Sequence, residues 1–506
     1  MTSPRGRKPA AAGHEVRILR RHESAGTPLH VQVYRQLRSS IAEGTLPSGA
    51  RLPSARTLAH DLHVSRNTVE AAFAQLRAEG LVTRRVGAGT VVATTISEVA
   101  PFAQAGAATR RTAVSSPPVP PAGGQVELSS RGAVLSALGS AEIIEDQRAA
   151  PGATDVRGFP GATWNTLLAR HTRHAGLDAF RSADSFGLPE LRQAIAAQAQ
   201  LTRGVQCSPE QVIVVNSTQQ AIDLAARLLL DVGDAVAMED PGYTSARAAL
   251  LGCGASVVPI AVDAEGMDVS LLADDGRVRV AYVTPSHQFP LGVTMSLTRR
   301  RALLDWAART GAWVIEDDYD SGFRHGDRPI LSLQGMDGGG RVLYVGTFNN
   351  VLFPGLRLAY LIVPQVLVQA FGAARHLTDG FSSPLLQGVL AEFLVRGHFA
   401  AYVRAARDHH ESSRDALLRS IALHWADAVR LGPSETGLHL VAYLDDAADD
   451  HAIAHAVQTR GLGVTALSRY YHAVATRRGL LLSYGAATPD AIEADVRALT
   501  PLVLRR

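Results

Sequence analysis

The sequence predicts an α/β protein of two unlike domains: a small basic helical unit with a β-hairpin, then a larger unit around a mostly parallel sheet. Three observations predict it. First, 506 residues with 46% apolar content exceed one ordinary domain and suffice for more than one core. Second, charge divides unevenly. Through residue 95 there are 13 Arg and one Lys against six acidic residues, a balance of +8, which leaves −5 for the remainder of a chain totalling +3. A basic first fifth on an acidic body points to a polyanion at the N-terminus. Third, after about residue 151 helical periods alternate with short β-rich runs, the pattern of strands joined by crossover helices.

The elements follow in order. Residues 1–27 are polar with Arg and Gly, a tail expected to be disordered. Within 28–94, Leu29, Val31, Val33, Leu37 and Ile41 space an apolar stripe along a first helix, which stops in the turn from Gly44 to Gly49. Ser54 is placed to cap a second helix ending near Leu62. Ser65 is placed to cap a third, with Val69, Phe73 and Leu76 on its buried face and Gly80 past its end. Strands over Leu81–Arg84 and Thr90–Ala93 flank Val86-Gly87-Ala88-Gly89, a turn that glycine can make. Residues 95–150 carry Ala, Gly, Ser and Pro and read as a long extended linker. In 151–506 the β-rich runs include Gln211–Val215, Ala235–Glu239, Val278–Val283, Trp313–Glu316, Val342–Val345 and Ala359–Val363.

Several classes are excluded. No apolar stretch is long enough for a bilayer, and the Arg-rich start lacks the apolar run of a signal peptide, so a cytoplasmic protein is expected. Cys207 and Cys253 suit a reducing compartment and have no partners at zinc spacing, so no metal is expected.

The stretch Arg51-Leu52-Pro53-Ser54-Ala55-Arg56, then Val64-Ser65-Arg66-Asn67-Thr68-Val69, then the Gly87–Thr90 turn resembles a GntR-type winged helix-turn-helix over about residues 28–93. The resemblance implies a double-stranded DNA operator as partner. Ser65, Arg66, Asn67 and Thr68, at the start of a third helix whose width fits the major groove, would reach base edges or phosphates. Arg51 and Arg56 would contact backbone and adjacent bases. Arg84 and Arg85, with Gly87 and Gly89, would lie along the minor groove or phosphates. Any one of these arginines reads equally as a solvated surface charge; five on one surface favour DNA.

From about residue 151 the chain resembles a fold-type-I, pyridoxal-phosphate-dependent aminotransferase, and the whole arrangement resembles the MocR subfamily of GntR regulators. The blocks that carry it include Thr284-Pro285-Ser286-His287-Gln288-Phe289-Pro290, Ile315-Glu316-Asp317-Asp318-Tyr319-Asp320-Ser321, Glu239-Asp240-Pro241-Gly242-Tyr243 and Leu467-Ser468-Arg469-Tyr470-Tyr471. The resemblance implies that Asp317 pairs with the pyridine nitrogen and Tyr319 with the ring's 3-oxygen. Thr347 and Arg357 would hold the phosphate, as would a helix start at Ser217, Thr218 and Gln219, although an ordinary N-cap accounts for Ser217 and Thr218 nearly as well.

The departures form a set. The chain's single lysine is Lys8, and where the family carries the lysine that forms a Schiff base with the cofactor, this chain has Asn350, preceded by Asn349. Ser217 replaces a glycine of the phosphate turn. The segment Ser182-Ala183-Asp184-Ser185-Phe186-Gly187 stands where many members carry a tyrosine, and Leu481 stands where a carboxylate-binding arginine is expected. The reading is therefore a DNA-binding transcriptional regulator of the MocR/GntR type, with no catalytic residue at the lysine position. Its aminotransferase-like domain would sense a small effector and join two copies as a homodimer. The cofactor would be pyridoxal phosphate held non-covalently, or none; the effector would be pyridoxal phosphate, its adduct with an amine, or another small anion. Two alternatives stand beside it: a ligand-free dimerisation scaffold, and an active aminotransferase, which would need an amine that nothing after Lys8 supplies.

Overall fold

The computed structural model describes residues 27–85, 89–93, 128–149, 155–174, 184–274, 276–323, 331–338, 340–456, 459 and 461–504. The chain divides into two compact units, residues 1–122 and 123–506. Residues 1–26 and 94–127, which include the expected tail and most of the expected linker, lie outside the described residues.

In the N-terminal unit, helices α1 (Leu29–Ala42), α2 (Ala55–Asp61) and α3 (Arg66–Ala78) precede strands β1 (Val82–Arg85) and β2 (Gly89–Val92). Val33, Leu37 and Ile41 of α1 share one core with Val69, Ala72, Phe73 and Leu76 of α3. The α1 stripe departs from expectation at its start, where Leu29 is exposed and Val31 only partly buried. Tyr34 takes the inward place instead, because its ring is buried while its hydroxyl donates to Glu79 at 2.5 Å. Both expected caps form: Ser54 Oγ accepts from the Thr57 amide and Ser65 Oγ from the Thr68 amide, each at 3.1 Å. Between α2 and α3 the chain turns through His63 in the left-handed region, φ 52°. The two strands pair antiparallel, Val82 opposite Val92 and Arg85 opposite Gly89.

The larger unit opens with α4 (Ser130–Ala149), α5 (Gly161–His174) and α6 (Pro189–Arg203), then β3 (Val212–Val215), α7 (Thr218–Leu229), β4 (Ala235–Asp240), α8 (Thr244–Gly252), β5 (Ser256–Asp263) and β6 (Gly266–Met267). It continues through β7 (Val278–Val283), α9 (Leu297–Thr310), β8 (Trp313–Asp318), α10 (Leu333–Met336), β9 (Val342–Thr347), β10 (Ala359–Ile362), α11 (Val368–Asp379), α12 (Pro384–Val395) and α13 (His398–His424). It closes with β11 (Arg430–Leu431), β12 (His439–Tyr443), α14 (Asp450–Ala456), β13 (Gly463–Ala466), β14 (Gly479–Ser483) and α15 (Pro489–Val503).

The helix α4 corrects the extended linker expected through residue 150. The proline cluster ends at Pro121, and the Ala- and Leu-containing stretch beyond it has the propensity to be helical. It packs on α8, where Gly252 gives Leu135 room: a Cβ there would fall 2.5 Å from Leu135 Cδ2.

The main sheet runs β3-β10-β9-β8-β7-β4-β5-β6. Its run from β9 through β8, β7 and β4 to β5 is parallel, and every expected β-rich run is one of its strands. A parallel sheet covered on both faces buries successive residues, which is why β9 is buried throughout rather than alternating. Strand β10 is antiparallel to both β3 and β9. The reason is its connection: only residues 348–358 join it to β9, too short for the crossover that a parallel pairing requires. A second, antiparallel sheet, β11-β12-β14-β13, shares a core with α13 and α15; the sequence pattern did not separate it from the main sheet. The carboxyl ends of β3, β8 and β9, where open α/β sheets take ligands, carry Ser217, Asp317 and Thr347.

Candidate functional site

On the N-terminal unit, the α3 start is set by Ser65, whose hydroxyl also lies 2.8 Å from that of Thr68. Cap duty therefore occupies the hydroxyls of both Ser65 and Thr68. Arg66 and Asn67 stand exposed beside them, and Arg66 Nη2 lies 3.6 Å from Glu70 Oε1, one turn on. Arg51 and Arg56 are also exposed. Arg51 bridges to Val91 of β2, and its guanidinium flanks Gly89, where a Cβ would fall 3.4 Å from Nε. Gly89, at φ 80°, thus supplies both the turn and the space for Arg51. Arg84 is exposed on β1; the Arg85 side chain and Gly87 lie outside the described residues. The structure thereby groups Arg51 with the wing, and Arg66 and Asn67 with the outer side of α3.

The second constellation is built around β8. Strand alternation sends Glu316 and Asp318 to one face and Asp317 to the other. Glu316 accepts the Leu333 and Gln334 amides at 2.9 Å, while Asp318 is held by Arg203 Nε at 2.8 Å and by the Tyr344 hydroxyl. These two are structural acids. Asp317 is buried, its Oδ2 accepting from the Tyr282 hydroxyl of neighbouring β7 at 2.6 Å. Its Oδ1 is buried with no partner. Burial, with Asp318, Asp320 and Glu239 nearby, pushes its carboxyl up to about 7 despite the Tyr282 hydrogen bond.

Tyr319, next along, lies with its hydroxyl 2.9 Å from His287 Nδ1, which also meets Asp320 Oδ2 at 2.6 Å. Burial and the charge of Asp320 raise the Tyr319 phenol well above its ordinary range, so it stays protonated. Glu239 of β4 accepts the Thr284 hydroxyl at 2.6 Å and amide at 3.1 Å, fixing the loop that carries His287; its own carboxyl is raised by burial to about 7. No role for Tyr282, His287, Asp320 or Glu239 is legible in sequence, although the last three lie within the segments that carry the aminotransferase resemblance.

Thr347 closes β9, and its hydroxyl accepts the Asn349 amide at 3.1 Å. Asn349 is spent on the fold: its Oδ1 accepts the Leu358 amide at 2.9 Å and its Nδ2 donates to the Asn216 carbonyl at 3.1 Å. It straps the turn after β9 to the turn before α7. Asn350 is half-buried, and its side chain makes no hydrogen bond among the described residues. Arg357 is exposed and sits at φ 54°, a left-handed conformation that costs a non-glycine residue. Ser217 is the N-cap of α7, the ordinary role that the sequence had left open: its Oγ accepts the Gln220 amide at 3.1 Å. The first amides of a helix lack intrahelical acceptors, so those of Thr218 and Gln219 point to an anion's place. Gln219 donates from Nε2 to the Ser245 carbonyl, and its Oε1 is buried without a partner.

Asp317, Tyr319, Thr347 and the α7 start therefore gather on the carboxyl side of one sheet. The unpartnered Asp317 Oδ1 suits a protonated ring nitrogen, whose charge would draw that carboxyl back to its ionised form. At Asn350, a carboxamide offers no nucleophilic amine. Leu481, on β14, is fully buried in an apolar cluster with Phe289, Val441 and Tyr470, against which Tyr319 also packs. The segment before Gly187 is described from Asp184; Asp184 Oδ1 accepts the Phe186 amide, and the Phe186 ring fills the space above Gly372.

A winged reading head on one unit and a transferase-type sheet on the other define a DNA-binding regulator with an aminotransferase-like domain. Residues 29–92 match the family model for bacterial regulatory proteins of the gntR family, and residues 161–491 that for aminotransferase class I and II. The chain is 38% identical over 478 residues, 94% of each chain, to the "Probable rhizopine catabolism regulatory protein MocR" of Rhizobium meliloti. It is 28% identical, over 93% of its length and 94% of the relative's, to the pyridoxine biosynthesis transcriptional regulator PdxR of Corynebacterium glutamicum. Among solved structures, an archaeal alanine:glyoxylate aminotransferase covers 75% of this chain and 96% of its own at 24% identity and TM-score 0.65. The α-aminoadipate aminotransferase LysN of Thermus thermophilus, solved with N-(5'-phosphopyridoxyl)-L-leucine, covers 70% and 90% at 25% identity and TM-score 0.64. The chain belongs to the MocR family of GntR-type transcriptional regulators. No helix among the described residues is long and apolar enough to cross a membrane.

Proposed function

We propose that this regulator uses its aminotransferase-like unit as a non-catalytic, ligand-responsive module that joins two copies and biases how their reading heads meet an operator. The observation that carries the reading is Asn350 at the lysine position, on a sheet whose Asp317 Oδ1 is buried without a hydrogen-bond partner. Pyridoxal phosphate, when bound, supplies an electron-withdrawing ring and an aldehyde. Here Asp317 would hold the ring nitrogen, Tyr319 the 3-oxygen, and Thr347, Arg357 and the α7 amides of Thr218 and Gln219 the phosphate. Neither Asn349, with both amide atoms engaged, nor Asn350 can capture the aldehyde or carry its proton. The ligand would therefore be held non-covalently, as pyridoxal phosphate or as a phosphopyridoxyl amine of the kind LysN was solved with. The name of PdxR ties that relative to pyridoxine biosynthesis, which is consistent with a vitamin B6 form as the signal.

A ligand shifts DNA binding only through unequal affinity for two arrangements. The test is titration of the intact protein with pyridoxal phosphate, pyridoxamine phosphate and a phosphopyridoxyl amine, followed by melting temperature and operator affinity. A saturable rise in melting temperature with a changed operator affinity supports the reading. A second reading, a ligand-free dimerisation scaffold, is favoured by the Asn349 strap, which ties the turn after β9 to the turn before α7 without a ligand. Absence of any thermal shift with all three compounds, on a protein that still binds DNA as a dimer, selects that reading.

A further inference from the structure

The four carboxylates described in the N-terminal unit are Glu43, Asp61, Glu70 and Glu79. Three have local work. Glu43 accepts from Ser39 Oγ at 2.9 Å, Asp61 lies 3.4 Å from His60 at the end of α2, and Glu79 takes the Tyr34 hydroxyl and lies 3.7 Å from Arg38. Glu70 differs. It sits one turn after Arg66 on α3, its side chain 42% exposed and its Oε1 3.6 Å from Arg66 Nη2.

Helix stability does not explain that position. An exposed i,i+4 ion pair contributes little, and Arg preceding Glu is the weaker of the two orders along a helix. A carboxylate on the outer side of a helix bound for a groove between phosphates is also repelled by the duplex. The net charge through residue 95, +8 with Glu70 included, works the other way.

The remainder of the outer face gives the reason. Beyond Asn67 and Glu70, Ala71, Ala74 and Ala78 carry only methyl groups on the exposed side, and Gln75 is the exposed polar residue beside them. With the Ser65 and Thr68 hydroxyls occupied by the cap, the long polar side chains near the N-terminal end of α3 are Arg66, Asn67 and Glu70. Small residues beyond them let the helix approach the floor of the groove. We propose that Glu70 is a specificity-determining residue that accepts the exocyclic amino group of a cytosine, while the Arg66 it orients donates to a neighbouring guanine. A carboxylate has no proton to give, so it rejects base edges that present only acceptors, the guanine O6/N7 pair and thymine O4. It disfavours adenine, whose N7 acceptor lies beside the amino group. The proposal rests on assigning Arg66 and Asn67 to the reading surface.

Full-length wild type, Glu70→Ala, Glu70→Gln and Arg66→Ala are each used to select binding sites from a duplex pool with a randomised segment; circular dichroism melts of the same preparations check that the fold is kept. The expected wild-type result is a cytosine preference of about tenfold at one position of each half-site. Glu70→Ala should flatten that position alone and raise affinity for unselected duplex. Glu70→Gln should turn the preference towards adenine, which a carboxamide can pair with two hydrogen bonds. A base-preference profile that Glu70→Ala leaves unchanged overturns the proposal. So does a uniform loss across all sequences with preferences intact, which would assign Glu70 only to holding Arg66. If Arg66→Ala also leaves every preference unchanged, the assignment of the reading surface itself has failed.

Discussion

Asp317→Asn should stabilise the ligand-free protein and remove its response to the ligand. The carboxyl is buried at the end of β8 with one oxygen on the Tyr282 hydroxyl and the other unpartnered, and it is raised from 3.8 to about 7. A carboxyl whose folded value exceeds its unfolded value contributes fully below about pH 3.8, and that contribution is lost as pH rises through about 7. The rise corresponds to about 4 kcal/mol at most, and relaxation around the charge lowers it. Asparagine keeps an acceptor for Tyr282 without the buried charge, so a gain of about 1–4 kcal/mol is expected at pH 8, shrinking towards pH 4. Urea unfolding of the intact protein at both pH values measures it. With pyridoxal phosphate at one hundred times its dissociation constant, wild type should gain about 2.7 kcal/mol. The variant, without an anion for the ring nitrogen, should gain far less. A variant destabilised at pH 8 without ligand, or stabilised by ligand as much as wild type, would refute this role for Asp317.

Three further outcomes are expected. His63→Gly relieves a left-handed conformation between α2 and α3 and should stabilise the N-terminal unit by about 0.5–1 kcal/mol, read as a higher melting temperature of its transition. Asn349→Ala cuts both hydrogen bonds of the strap and leaves the buried Leu358 amide unpaired, so it should cost the larger unit about 1–3 kcal/mol in denaturant unfolding. Arg357→Ala should leave the ligand-free melting temperature unlowered, since the guanidinium is exposed and alanine keeps the same left-handed backbone at no added cost. It should abolish the thermal shift caused by phosphorylated B6 forms; an intact shift would remove Arg357 from the phosphate site.

The main sheet was legible because its strands are short, apolar and interrupted by helical periods, and Val342–Val345 could not be read as an exposed alternating strand. The caps at Ser54 and Ser65 were legible because a hydroxyl before an apolar-periodic run has one common use. The direction of β10 was not, since direction depends on the length and shape of the 348–358 connection rather than on Ala359–Ile362. Helix α4 was hidden by its continuity with a Pro- and Gly-containing stretch. Tyr34 was hidden because a tyrosine on a helix can face either way until the position of Glu79 is known. In the pocket, the resemblance indicated Asp317, Tyr319 and Asn350, but the burial of Asp317 Oδ1 and the engagement of Asn349 are three-dimensional facts. Glu70 was missed for another reason: in sequence, an acid four residues after an arginine reads as a helix pair, and only its place on the outer side of α3 gives it another use.

Incubating the full-length protein with pyridoxal phosphate, reducing with borohydride and mapping the peptides by mass spectrometry puts the missing amine to trial. No pyridoxyl group is expected anywhere in residues 128–506, with labelling confined to Lys8 and the N-terminal amine. A stoichiometric adduct on the aminotransferase-like unit would contradict that expectation.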